Sequence, residues 1–270
     1  MIMKTKSKKI GLALSGGGTK GIAEAGVLKF LDEQHLVPNQ IAGTSSGAIV
    51  GAMYAFGKKP EEILDFFKSV YFFSWRHFTL KRGGMLDSEA FKNYFEGVFG
   101  KATIGDLKIE TQITATDLVT GNLKVFDNNT LIVEAILAST AVPGIVSPHV
   151  IQGKIYSDGG ILNHFPTDLL IGKCDFLIGV YVSSLEIVGP DHLNSLKAVT
   201  SRAYDLLSSQ NDLLKFKLCD WLIQPYELSS YRTFDTSKLK MDEIFNIGYE
   251  AAKASYAVIN TSEEPMQKTS

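Results

Sequence analysis

The sequence predicts an α/β fold, one domain built on a largely parallel sheet. Two observations carry that expectation. Short apolar runs of strand length alternate with longer amphipathic stretches of helical character. Three of the runs end in glycine-rich turns, at 15–21, 43–47 and 157–160, and loops at the carboxyl ends of parallel strands are where open α/β sheets bind ligands. The chain has 270 residues, 45% hydrophobic and 21% charged, with a mean hydropathy of +0.06, enough for one large core.

The elements follow in order. Ile10–Leu14 is the first strand and runs into a glycine loop that opens a helix at Gly21–Glu33. Gln40–Ala42 is a second, short strand. The helix after it, Ser46–Phe56, is small and apolar on all sides (Ala48-Ile49-Val50-Gly51-Ala52-Met53) and so reads as buried, with Gly57 ending it. Further helices are expected at Glu61–Ser69, at Ser88–Phe99 with Asp87 or Ser88 as N-cap, and at Leu131–Ala138, Leu196–Lys215 and Met241–Val258. The remaining strands are Gln112–Thr116, Leu123–Phe126, Lys154–Tyr156, Phe176–Tyr181 and Trp221–Ile223. No repeat or Pro/Ser-rich linker interrupts the chain, so residues 1–270 form one domain with a core of about 8–258 and a polar, frayed tail over 260–270.

Composition excludes several functions. A net charge of -2, from 27 basic and 29 acidic residues, gives no electrostatic basis for binding nucleic acid. Lys4, Lys6, Lys8 and Lys9 cluster at a solvated terminus. Cys174 and Cys219 make neither a disulfide framework nor a metal-ligand spacing, which points to reduced thiols in a cytoplasmic protein. The apolar run after the basic start is too short for a signal peptide, and none reaches membrane-spanning length. Contact with a membrane would therefore be transient and from the cytoplasm.

Gly43-Thr44-Ser45-Ser46-Gly47 is a G-x-S-x-G turn between a strand and a helix. The glycines permit a tight bend that projects Ser45 Oγ, and the following helix directs free N–H groups at any anion formed there. Ser15-Gly16-Gly17-Gly18-Thr19-Lys20-Gly21 is an anion cradle suited to a nucleotide phosphate or to an oxyanion. Gly16-x-Gly18-x-x-Gly21 matches the letters of the dinucleotide fingerprint. The second strand, however, ends without the acid that would bind a ribose, and Ile22 stands where a Walker loop needs Lys. Neighbouring loops in a parallel sheet lie side by side, so this cradle is expected beside Ser45, which fits acyl transfer better. A serine nucleophile needs a base, and none of the five histidines stands in a triad context. Asp158, flanked by Gly159 and Gly160, is the alternative base, provided burial raises its basicity; on its own the segment is also an ordinary turn.

With these three elements in this order, the chain resembles the patatin-like phospholipases. The resemblance extends through Thr114–Gly121, Ala138–Gly144, Tyr156–Gly160, Asn163 and Pro166, covering about the first two-thirds of the sequence. It implies a three-layer α/β/α sandwich and no metal or cofactor. It also implies Ser45 as nucleophile, Asp158 as general base 113 positions later, and an oxyanion hole from the N–H groups of Gly16, Gly17 and Gly18. Lys20, Gly21, Gly43, Gly47, Gly159 and Gly160 support those motifs. The implied substrate is a phospholipid or other acyl ester. His164 departs from the family's small polar residue, either tuning Asp158 or serving as a structural histidine. The aromatic segment 66–78 is open to two roles, an acyl-chain pocket or lid and packing beneath the helix that follows Ser45. Tyr94, Phe95 and Phe99 are expected in the core. The competing function is a nucleotide- or phosphate-binding regulatory module using the glycine loop; a third is a scaffold with a vestigial site.

Overall fold

A computed structural model of the chain describes residues 8–70, 86, 88–185, 187–233 and 237–261. Its elements are β1 (Ile10–Leu14), α1 (Ile22–Glu33), β2 (Gln40–Gly43), α2 (Ser46–Phe56), α3 (Pro60–Ser69), α4 (Lys92–Phe99), β3 (Glu110–Asp117), β4 (Leu123–Val125) and α5 (Ile132–Ser139). They continue with β5 (His149–Ile151), β6 (Lys154–Asp158), α6 (Gly160–Asn163), β7 (Phe176–Val180), α7 (Leu196–Lys215), β8 (Trp221–Ile223) and α8 (Lys238–Thr261). Among the described residues they build one eight-stranded sheet of order β5-β6-β3-β2-β1-β7-β8, with β4 also paired to β3. Strands β3, β2, β1, β7 and β8 run parallel, and β4, β5 and β6 join antiparallel at the β3 end.

Burial explains the central strands. Every residue of β1 and β7 is buried, the expected state of parallel strands covered on both faces. Alternation sorts their side chains. Ile10, Leu12, Leu14, Ile178 and Val180 enter the larger core with residues of α1, α2, α3, α5 and α8. Ala13, Ala42, Leu177 and Tyr181 face a smaller core with Phe165 and Leu170 on the opposite side. Helical layers therefore flank both faces of a mixed, mostly parallel sheet.

Most expected elements lie within a few residues of their anticipated bounds. Gly57 ends α2 in the left-handed conformation, φ 105. The helix expected over 88–99 is a 3-10 turn at Ser88–Phe91 followed by α4, and the N-cap expected at Asp87 lies outside the described residues. Phe66, Phe67, Phe95 and Phe99 are buried in the main core and Tyr94 packs against it. The rest of the aromatic segment, 71–78, lies outside the described residues.

One core residue is out of character. Glu24 of α1 is wholly buried, and neither carboxyl oxygen has a hydrogen-bond partner of good geometry. Burial pushes its pKa well up, with the Ser15 backbone opposing. A carboxyl whose folded pKa is raised contributes stability at low pH and loses it as pH rises through the folded value. Glu24→Gln is therefore expected to stabilise the fold at pH 8 by on the order of 1 kcal/mol. The gain in melting temperature should shrink toward pH 4; a gain that grows on acidification would contradict this account.

Candidate active site

The chain passes from β2 into α2 through Thr44 and Ser45, and Ser45 is held at φ 54, ψ -120. A non-glycine residue adopts that conformation only where its surroundings impose it. Here the Ser45 N–H donates to Ser139 Oγ at 2.9 Å. Thr44 Oγ1 donates to the Asn163 carbonyl at 2.8 Å and shares a 2.7 Å hydrogen bond with Thr114 Oγ1. With its one proton committed to Asn163, Thr44 accepts from Thr114. The flanking glycines answer to space. A Cβ on Gly43 would lie 2.4 Å from the Gly47 carbonyl oxygen, and one on Gly47 2.5 Å from that of Leu14.

The glycine loop lies against this turn, as parallel pairing of β1 and β2 requires. A Cβ on Gly16 would sit 3.4 Å from Ser45 Cβ, and one on Gly21 would sit 2.5 Å from Ser46 Cβ. Side chains clamp the loop to the end of β7. The Val182 N–H donates to Ser15 Oγ at 3.0 Å, and Ser183 Oγ donates to the Gly16 carbonyl at 2.7 Å. Of the three amides expected to form an oxyanion hole, Gly16 is already engaged, its N–H donating to the His164 carbonyl at 3.0 Å. Gly17 and Gly18 have no backbone acceptor among the described residues. That leaves the Gly17 and Gly18 amides as the ones available to a ligand in this arrangement. Gly18 has φ 59 and an added Cβ would lie 2.2 Å from the Thr233 carbonyl oxygen, so only glycine fits there.

Asp158 ends β6 and is wholly buried. Its Oδ1 accepts from the Gly160 N–H at 2.7 Å and from Tyr204 Oη at 3.2 Å. Gly159 and Gly160 make room for this arrangement. Their added Cβ atoms would lie 2.4 Å from Thr114 Oγ1 and 2.3 Å from Tyr204 Oη. Oδ2 has no hydrogen bond of good geometry, yet the Ser45 hydroxyl is close enough to act on the carboxyl. Burial is the dominant influence and raises the Asp158 pKa. Ser45, the Gly160 amide, His164 and Tyr204 pull it down without cancelling that rise.

His164 is both buried and hydrogen-bonded, its Nδ1 lying 2.8 Å from Asp212 Oδ2. Burial disfavours its protonation, but Asp212, helped by Asp158 and Asp205, outweighs that effect and raises its pKa. It therefore combines the structural role with an electrostatic pull on Asp158. Lys20 is buried, and its residue lines the same cavity. That cavity, about 730 Å³, brings together Ser45, Asp158, Gly16, Gly17 and Gly18 with α7 and with residues 183–185, 188, 192 and 193. Tyr204 and Asp212 went unanticipated. They lie on α7, far along the chain from every motif, and only the packing of α6 on α7 brings them in.

A family model described as patatin-like phospholipase matches residues 12–171, a span that contains all three glycine-rich turns. The chain belongs to the patatin-like phospholipase family. An uncharacterised NTE family protein of Mycobacterium bovis is 30% identical over 221 residues, covering 77% of this chain and 61% of the relative. The lysophospholipase nte1 of Aspergillus niger is 25% identical over 283 residues, covering 91% of this patatin-like chain and 18% of the fungal protein. The crystal structure of VipD from Legionella pneumophila shares the fold, with a TM-score of 0.62 at 16% identity over 94% of this chain and 67% of that one. The chain thus spans about three-fifths of the length of this Mycobacterium bovis relative and less than a fifth of the fungal one. Among the described residues, no helix is long and apolar enough to cross a membrane.

Proposed function

We propose that this patatin-like chain is a serine acyl hydrolase that cleaves ester bonds of phospholipids or other acyl lipids through Ser45 and Asp158. One observation carries the proposal. A serine forced to φ 54 shares a cavity with a buried carboxylate whose Oδ2 lacks a partner, and with two glycine amides free of backbone acceptors. The lysophospholipase among the relatives supports a lipid ester as substrate.

In the proposed reaction Asp158 accepts the Ser45 proton as Oγ attacks the ester carbonyl, and the Gly17 and Gly18 amides hold the oxyanion. Collapse breaks the ester C–O bond, and the proton on Asp158 passes to the departing alcohol. Asp158 then takes a proton from water, whose oxygen attacks the acyl-enzyme; acid is released and Ser45 regains its proton. A raised pKa brings Asp158 closer to the basicity this needs at neutral pH. Each oxyanion donor contributes about 2.7–4 kcal/mol in sites of this kind.

Labelling with a fluorophosphonate followed by peptide mass spectrometry tests the assignment. A single adduct on Ser45 is expected. Label on another residue, or none on folded protein, would overturn it.

A further inference from the structure

Helix α7 is amphipathic in the reverse of the usual sense. Tyr204, Asp205 and Ser208 line the catalytic cavity and Asp212 is buried against His164, so the inward face is polar. The outward face carries Leu196 (85% exposed), Val199 (49%), Leu206 (41%), Leu207 (72%), Leu213 (63%) and Leu214 (67%). Together with the uncharged Thr200, Ala203, Gln210 and Asn211 between them, they form one exposed stripe at three- and four-residue steps. The charged residues of α7 whose burial is described, Arg202, Asp205, Asp212 and Lys215, are buried or half-buried. A helix bordering water shows the opposite arrangement. Twenty residues give this stripe a length of about 30 Å. It continues into the preceding segment, where Leu185 and Leu193 are exposed while also lining the cavity, and where Ile187 is 97% exposed.

We propose that this face rests on an anionic lipid surface and holds the cavity mouth against it. The inference builds on the lipid-hydrolase reading of that cavity. Charge selects the occupant. Arg202 and Arg232 line the cavity alongside the apolar rim, with Lys20 further in, and among the described residues the carboxylates of that wall are Asp158 and Asp205. Lipid phosphates would meet the two arginines while the leucines enter the acyl boundary. A second copy docked on the same face about a two-fold axis would instead bring the arginines of both copies together. With no described helix able to span a bilayer, the mode of contact is a helix lying in the interface plane.

The test is co-sedimentation of the protein with phosphatidylcholine–phosphatidylglycerol vesicles, comparing wild type with Leu207→Asp/Leu214→Asp. The wild type is expected to pellet, and the variant to lose bound fraction at least tenfold, with hydrolysis of vesicle lipid falling in step. Turnover of a water-soluble short-chain ester and fluorophosphonate labelling should stay within twofold, which also shows that the variant folds. Equal pelleting of both proteins, no pelleting of the wild type, or a wild-type dimer that the substitutions split would overturn the proposal. Absence of ester turnover and labelling in the wild type would instead overturn the hydrolase assignment, with sedimentation still deciding the docking.

Discussion

Asp158→Asn is expected to lower kcat on a soluble ester by about 100- to 10,000-fold while raising the melting temperature at neutral pH. The loss follows from Oδ2. In the variant an amide nitrogen without a free acceptor pair would stand at one of the two terminal positions. If the amide oxygen keeps the Gly160 and Tyr204 hydrogen bonds, that nitrogen replaces the oxygen left without a partner, and nothing remains to take the Ser45 proton. The gain follows from burial. Asp158 is wholly buried and its pKa is raised, burial being the largest cause. Its ionised form therefore costs stability at pH values above the folded pKa, and a neutral isostere removes that cost. The melting-temperature difference should be largest near pH 8 and vanish toward pH 4. The wild-type kcat should also fall on acidification with a midpoint above the ordinary carboxylate range, because the base must be ionised to act. A variant that is inactive and less stable at pH 8 would mean that Asp158 holds the loop together rather than serving as a desolvated base.

The site was legible where geometry demands small residues. Gly43 and Gly47 meet backbone carbonyls, Gly159 and Gly160 meet Thr114 and Tyr204, and Gly18 has a positive φ. Such constraints leave a local trace in sequence, and each trace stood after a recognisable strand. Long-range pairings leave none. The capture of the Gly16 amide by the His164 carbonyl removes one expected oxyanion donor, and nothing near Gly16 announces it. The partnership of His164 with Asp212 spans 48 positions. Strand β5 was missed although β4 and β8, also three residues long, were expected, because only one glycine marks the turn that pairs it. Gln152 and Gly153 both have positive φ and join β5 to β6 as a two-residue hairpin turn. The face of α7 is a different failure. Periodicity reports that a helix has two faces, but it does not report that a polar cavity, rather than the core, occupies the inner one.

Gly26→Ala is expected to destabilise the fold by about 3 kcal/mol, lowering the melting temperature by roughly 6–12 °C. Helices α1 and α8 approach backbone to backbone: a Cβ on Gly26 would lie 1.9 Å from the Phe245 carbonyl oxygen, and one on Gly248 1.9 Å from that of Ala23. Neither obstacle is a side chain that could swing aside, so the helices must separate. Separation would loosen Met241, Ile244, Phe245 and Ala252, which α8 buries in the main core. Gly97→Ala on α4 is the control. Nothing lies within 4 Å of its added Cβ, so relief of glycine's helix penalty should stabilise by about 0.5–1 kcal/mol. Thermal unfolding of both variants decides the matter, and a Gly26→Ala protein melting within 2 °C of wild type (less than about 1 kcal/mol) would refute the close crossing. The same variant links packing to chemistry. α1 begins one residue after the glycine loop, so a displaced α1 carries the Gly17 and Gly18 amides away from Ser45. Fluorophosphonate labelling of Gly26→Ala should therefore slow well below its melting temperature, whereas Gly97→Ala should label at the wild-type rate.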